Sequence, residues 1–147
     1  MLLFLFATGI AFCQTSIKPV KKAAPALEKL LNGSGLPYKM VNDSLAVIPY
    51  EGANIPSYRV LVQAISDLFI IYTSLSEALP GKIDETKYKY LLQQNDHFDV
   101  VKIGSSAKDN TVYLRADLYK PATNAALLMR VIAQVANVTN IIGGELK

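Results

Sequence analysis

The chain carries one histidine, His97, set between the carboxylates of Asp96 and Asp99. An imidazole beside a carboxylate can serve as a general base or join a metal site. A metal needs several ligands converging with suitable geometry, and one His with two sequence-near Asp is a thin set. Asn95-Asp96-His97 also reads as the polar end of a helix. Asp67, Asp84, Glu85, Asp109 and Asp117 show no spacing that would pair two carboxylates for acid–base work. Ser34, within Gly33-Ser34-Gly35, reads as a helix stop, and Ser105-Ser106 as a turn. No GxSxG, P-loop, HExxH or GxGxxG pattern occurs. The reading is of a non-enzyme with no cofactor and no metal. The alternative is a small envelope ligand- or metal-binding protein, or an enzyme, using His97 with Asp96 or Asp99.

Tyrosine is the other notable residue type, with eight copies and no tryptophan. Exposed tyrosines are frequent where one protein grips another. Tyr113 and Tyr119 fall on the wetter side of their strand, while Tyr88 and Tyr90 cannot share one face of their helix. With Phe69 and Ile71 from a neighbouring apolar strand, Tyr113 and Tyr119 are the candidate partner-contact residues.

The elements that must position these residues centre on Ser57–Leu75. Its first half alternates, with Tyr58, Val60, Val62 and Ala64 on one side and Arg59, Leu61, Gln63 and Ile65 on the other. That period of two predicts a strand. After a turn at Ser66-Asp67, Leu68–Thr73 is apolar on both faces, which predicts a strand covered on both sides or lying at an interface. Ahead of this hairpin, PALEKLL from Pro25 predicts a short helix burying Leu27, Leu30 and Leu31, stopped by Gly33 and Gly35. Strands are expected at Tyr38–Asn42 and Leu45–Tyr50, the second lying at an edge or ending at Pro49. A Pro80-Gly81 turn and an Asp84 N-cap introduce a second helix. Further strands are expected at Phe98–Ile103 and Asn110–Lys120. In the latter, Val112, Leu114, Ala116 and Leu118 oppose Tyr113, Arg115, Asp117 and Tyr119. A last helix, Thr123–Ile142, buries Leu128, Val131, Ile132, Val135 and Val138 and ends at Gly143-Gly144. The fold class expected is α+β: an antiparallel sheet of five to six strands with three helices, in the order α, three or four β, α, β, β, α. A cone of the cystatin-like or NTF2-like kind competes, but the two late helices argue against it.

With 147 residues the chain suffices for one domain, expected over 25–147. Leu2–Phe12 is an uncharged apolar run, too short for the roughly 20 residues that span a bilayer, and of signal-peptide length. Small residues at Ala11 and Cys13 suit a cut before Gln14. Residues 1–13 are thus expected to be a signal peptide, and the chain exported to the periplasm or beyond. A lipid anchor on Cys13 is the alternative, and the membrane a partner only in that case. Gln14–Lys39 holds five lysines against Glu28, a net +4, and the remainder ten basic against eleven acidic residues, −1. Residues 14–24 therefore read as a basic linker. One modest basic cluster on an exported chain makes a poor nucleic-acid binder.

The leading LEKLLNGSGLPYK, the strands LAVIPYEG, SYRVLVQ and DLFIIYTSL, and FDVVKI and TVYLRADL before a long helix resemble the YbjN family. These are bacterial sensory transduction regulators whose fold is similar to type III secretion chaperones. The resemblance spans Ala26–Ile142 and rests on hydrophobic pattern and length. It implies a small domain that binds protein partners, often itself as a homodimer, and it supplies no catalytic residue. Secretion chaperones are usually acidic and cytoplasmic, unlike this chain, so what carries over is the binding scaffold.

Overall fold

The computed structural model describes residues 25–78 and 83–146. The expected signal peptide (1–13), the basic linker (14–24) and the Pro80-Gly81 turn lie outside the described residues. The elements are α1 (Ala26–Leu31), β1 (Lys39–Asn42), β2 (Leu45–Tyr50), β3 (Tyr58–Ile65), β4 (Leu68–Ser74), α2 (Leu75–Ala78), α3 (Glu85–Gln94), β5 (Lys102–Ser105), β6 (Val112–Tyr119) and α4 (Ala125–Glu145), with a 3-10 turn at Lys120–Ala122 before α4.

All six strands join one antiparallel sheet in the order β1-β2-β3-β4-β6-β5. The period of two sorts each strand into two sides. One side holds Ala46, Ile48, Val60, Val62, Phe69, Ile71, Thr73, Leu114 and Ala116, all buried. α4 packs there against β3, β4 and β6, and α1 lies against α4 and β2. α4 buries Leu128, Val131, Ile132, Val135 and Val138 as its stripe predicts, and the buried set runs on to Ile142. It is the one helix among the described residues long and apolar enough to cross a membrane. Its buried stripe accounts for that composition as a core helix.

Local signals set most boundaries. Asp84 accepts from the Lys87 N–H at 2.9 Å and opens α3. Asn124 accepts from the Leu127 N–H at 2.8 Å and opens α4. The β3–β4 turn falls at Ser66-Asp67, with Ser66 at a positive φ of 42°. Lys120 holds that turn, its N–H donating to the Asp67 carbonyl and its Nζ to the Ser66 carbonyl. β2 is an inner strand as far as Val47, the last residue β1 reaches. Pro49 lies beyond that reach, so its missing donor costs no ladder bond.

Three expectations are corrected. Phe98–Val101 is not strand; β5 begins at Lys102 and runs on through Gly104 to Ser105, so the turn expected at Ser105-Ser106 starts one residue later. Gly143-Gly144 does not end the last helix, which runs to Glu145. Gly144 is kept small because the side chain of Asn54 lies where its Cβ would be, 2.6 Å from Asn54 Nδ2. Finally, a single-turn helix, α2, follows β4 where none was expected.

Candidate interaction surface

The second side of the sheet is built by the residues between the core positions. Cross-strand register aligns Val47, Leu61, Tyr72, Arg115 and Lys102 in one row, and Leu45, Gln63, Ile70 and Asp117 in the next. Toward the β3–β4 turn the same side carries Ile65, Leu68 and Tyr119. None of these is buried, and no described helix covers them. Val47, Leu61, Leu68, Ile70 and Tyr72 are half-buried. Ile65 and Tyr119 are 43% and 56% exposed.

Polar groups on this side are held in place. Arg115 and Asp117 are two apart on β6 and so share its side. They form a bidentate pair, Nε to Oδ1 at 2.7 Å and Nη2 to Oδ2 at 2.9 Å. The hydrogen bond to Asp117 raises the Arg115 pKa. Tyr113 lies flat across its cross-strand partner Gly104, where a Cβ would fall 2.7 Å from the tyrosine hydroxyl oxygen. Only glycine leaves room for that ring. Beside it a cleft of 480 Å³ opens between β5 and β6, lined among others by Asp99, Lys102, Tyr113 and Arg115.

Of the four residues expected at a partner surface, Tyr113 and Tyr119 lie on this open side. Phe69 and Ile71 do not. They face α4 and are 2% and 0% exposed, so they are core residues. Their place is taken by the alternating residues of the same strand, Leu68, Ile70 and Tyr72. β4 is apolar on both faces as the sequence indicates. Which face would be covered depended on where α4 docks, and that could not be read from β4 alone. Leu61 and Val47 were missed for the same reason.

His97 is exposed, in the turn after α3 where its N–H donates to the Gln94 carbonyl at 3.0 Å. It borders a shallow 280 Å³ cleft with Asp99, Arg130, Gln134 and Asn137. Among the described residues no group of three His, Cys, Asp or Glu is placed to hold a metal ion. Asp96 and Asp99 are exposed as well. Asn95 is the C-cap of α3, the helix end the sequence indicates, and its side chain also reaches the edge of the sheet.

A second cluster escaped the sequence reading altogether. The loop 51–57 is pinned to α4 by Asn140, whose Oδ1 accepts from the N–H groups of Asn54 at 2.9 Å and Ile55 at 3.2 Å. Asn54 Nδ2 in turn donates to the Asn140 carbonyl at 3.0 Å. Gly52 and Gly144 leave the space this contact needs. The Tyr58 hydroxyl ties β3 to α4 as well, donating to the Ala136 carbonyl at 2.9 Å.

No family model matches the chain, and no curated protein matches it. Solved structures do. One is a chain of the heterodimeric complex ExoU-SpcU from the type III secretion system of Pseudomonas aeruginosa. It shares 16% identity at a TM-score of 0.56, over 80% of this chain and 94% of that one. Another is YbjN from E. coli, a candidate transcription regulator. It shares 10% identity at a TM-score of 0.57, over 81% of this chain and 87% of that one. At such identities the likeness is one of fold. The α+β fold expected from the YbjN resemblance, similar to type III secretion chaperones, is the fold found.

Proposed function

We propose that this chain is an exported, non-enzymatic protein-binding module, chaperone-like or regulatory, that grips its partner through the open side of its sheet. The observation that carries the reading is the set of apolar residues Val47, Leu61, Tyr72 and, in the adjacent row, Ile70, on the side of the sheet opposite the described helices α1 and α4. An antiparallel sheet can leave one face to water, but such a face is usually polar. Six strands about 4.8 Å apart and about 20 Å long make a flat area on the order of 500 Å² before side-chain relief. That is the scale of one partner's share in a small protein–protein interface, about 600–800 Å². Tyr72, Tyr113, Tyr119 and Arg115 are the residue types that dominate binding energy at such surfaces. A chain of this fold standing in a heterodimeric complex adds support. A second copy of the chain is one partner the face can take.

The test is site-specific photocrosslinking in the producing cells. A crosslinker at Ile70 or Tyr119 should yield protein adducts, and one at Asn137, exposed on α4, should yield none. Adducts from Asn137 alone would overturn the reading. The mass of the adduct tells a foreign partner from a second copy. The mass of the mature amino terminus tests export. A start at Gln14 indicates simple secretion, an acylated Cys13 a lipid anchor, and a retained Met1 refutes both.

A further inference from the structure

β5 is an edge strand, paired only with β6. In an antiparallel ladder, successive residues turn their backbone groups alternately toward and away from the neighbour. The Ile103 N–H and carbonyl point off the free edge, and a single side chain takes both. The Ile103 N–H donates to Asn95 Oδ1 at 2.7 Å, and Asn95 Nδ2 donates to the Ile103 carbonyl at 3.0 Å. These are the two bonds one residue of a seventh strand would make. Lys102 fastens the arrangement, its Nζ donating to the carbonyls of Asn95 at 3.0 Å and Phe98 at 2.6 Å. Asn95 and Lys102 thus clasp the end of α3 against the edge.

We infer that Asn95 is a stopper, that it closes the β5 edge by standing in for a strand, and that its release opens a site which a second copy of this chain fills with its own β5. The sequence of β5 suits self-pairing. An antiparallel register centred on Gly104 sets Ile103 of one copy opposite Ser105 of the other. It brings the two backbones closest at Gly104, which has no side chain. It also keeps the two Lys102 side chains from facing each other, where like charges would repel. Unprotected sheet edges recruit further strands, and proteins block them by such local means. This inference does not depend on which partner takes the open side of the sheet.

The experiment compares the full chain with Asn95→Ala, Ser105→Pro and the double variant, by light scattering over a wide concentration range. Ser105, like Ile103, directs its N–H off the edge, so proline there blocks strand addition without touching the β6 ladder. Ser105→Pro should leave the wild-type mass unchanged. Asn95→Ala should raise the mass twofold with concentration, and Ser105→Pro added to it should restore the wild-type value. An unchanged mass for Asn95→Ala, or a doubling that Ser105→Pro does not reverse, overturns the inference. Should circular dichroism show Asn95→Ala unfolded, Asn95→Asp takes its place. It keeps the bond from the Ile103 N–H and loses the one to the carbonyl. In the wild type, hydrogen exchange at the Ile103 amide should be slow for an edge position, and about tenfold faster in dilute Asn95→Ala. An Ile103 amide that exchanges in the wild type as fast as an exposed turn overturns the inference as well.

Discussion

Replacing Asn140 with alanine tests whether the 51–57 loop is held to α4 by one side chain. The substitution removes the acceptor of two backbone N–H groups, those of Asn54 and Ile55. Ile55 is 1% exposed, so water cannot readily replace that acceptor; Asn54 is half-exposed and partly recovers. An unsatisfied buried donor costs about 1–3 kcal/mol, and the partly solvated one less. Alanine returns about 0.6 kcal/mol as a better helix former than asparagine. The net expectation is a loss of about 1–3 kcal/mol. In urea the midpoint should fall with the slope unchanged, since native and unfolded surfaces alter little. The melting temperature should drop by roughly 4–12 °C for a domain of this size. Asn140→Asp keeps the acceptor oxygen for both N–H groups and should retain most of the stability. If Asn140→Ala costs under about 0.5 kcal/mol, or Asn140→Asp falls as far as alanine, the side chain is not what pins the loop.

Gly144→Ala should destabilise although alanine favours helix by about 1 kcal/mol, because its Cβ would meet Asn54 Nδ2 at 2.6 Å; a higher urea midpoint would refute this. Gly104→Ala should cost about 1–2 kcal/mol by driving off the Tyr113 ring, whose Cζ lies 2.8 Å from the new methyl; in a double-mutant cycle Tyr113→Ala should remove most of that cost, and simple additivity would count against the contact. Stability should fall from about pH 10 upward. Burial, the hydrogen bond to Glu145 and that carboxylate's charge push Tyr90 up to about 12, and burial followed by the neighbouring Tyr50 raises Tyr58. The native state keeps those protons while the unfolded chain loses them near 10, so the contribution is complete below that pH and is lost as pH climbs toward 12. A urea midpoint flat from pH 9 to 12 would contradict this, and Tyr90→Phe should reduce the slope. His97→Ala should change stability by less than about 0.5 kcal/mol and leave partner capture intact, since the ring is exposed; loss of capture would return His97 to the functional site.

The parts legible in the sequence are those that local chemistry decides. The alternation of Tyr58–Ile65 and Val112–Tyr119 placed every residue on its observed side, because the pleat has a period of two. Asp84 and the α4 stripe were legible because a cap and a 3.6-residue repeat act within one or two turns. What escaped depended on contacts distant in sequence. Asn140 and Asn54 meet across more than eighty residues, and no local pattern marks either. Gly143-Gly144 carries the composition of a helix stop, and the packing of Asn54 against α4 overrides it. The same limit misplaced Phe69 and Ile71. A strand apolar on both sides signals an unusual surface, but the covered side is chosen by α4.

The arrangement of edges and faces bears on how such a module can associate without aggregating. Edge pairing is driven by backbone groups and discriminates poorly between partners, since every chain carries them. Here β1 is four residues long, bulged between Met40 and Asn42, and carries Lys39, while the outer edge of β5 is occupied by Asn95. Both edges are therefore poor templates. The broad side of the sheet offers shape and side chains instead: apolar rows, an ordered Arg115–Asp117 pair and tyrosines at either end. If the proposed face binds, those features would distinguish one partner from another, because a mismatched partner would leave a charge or hydroxyl buried without a bond. Under the proposed function, closed edges would direct association to the surface that can be selective. Charge placed on that face should then separate binding from folding. Ile70→Glu, at a half-buried position away from the core, should abolish partner capture while the unfolding free energy from urea titration changes by about 1 kcal/mol or less. Retained capture with Ile70→Glu would move the binding site off the sheet face.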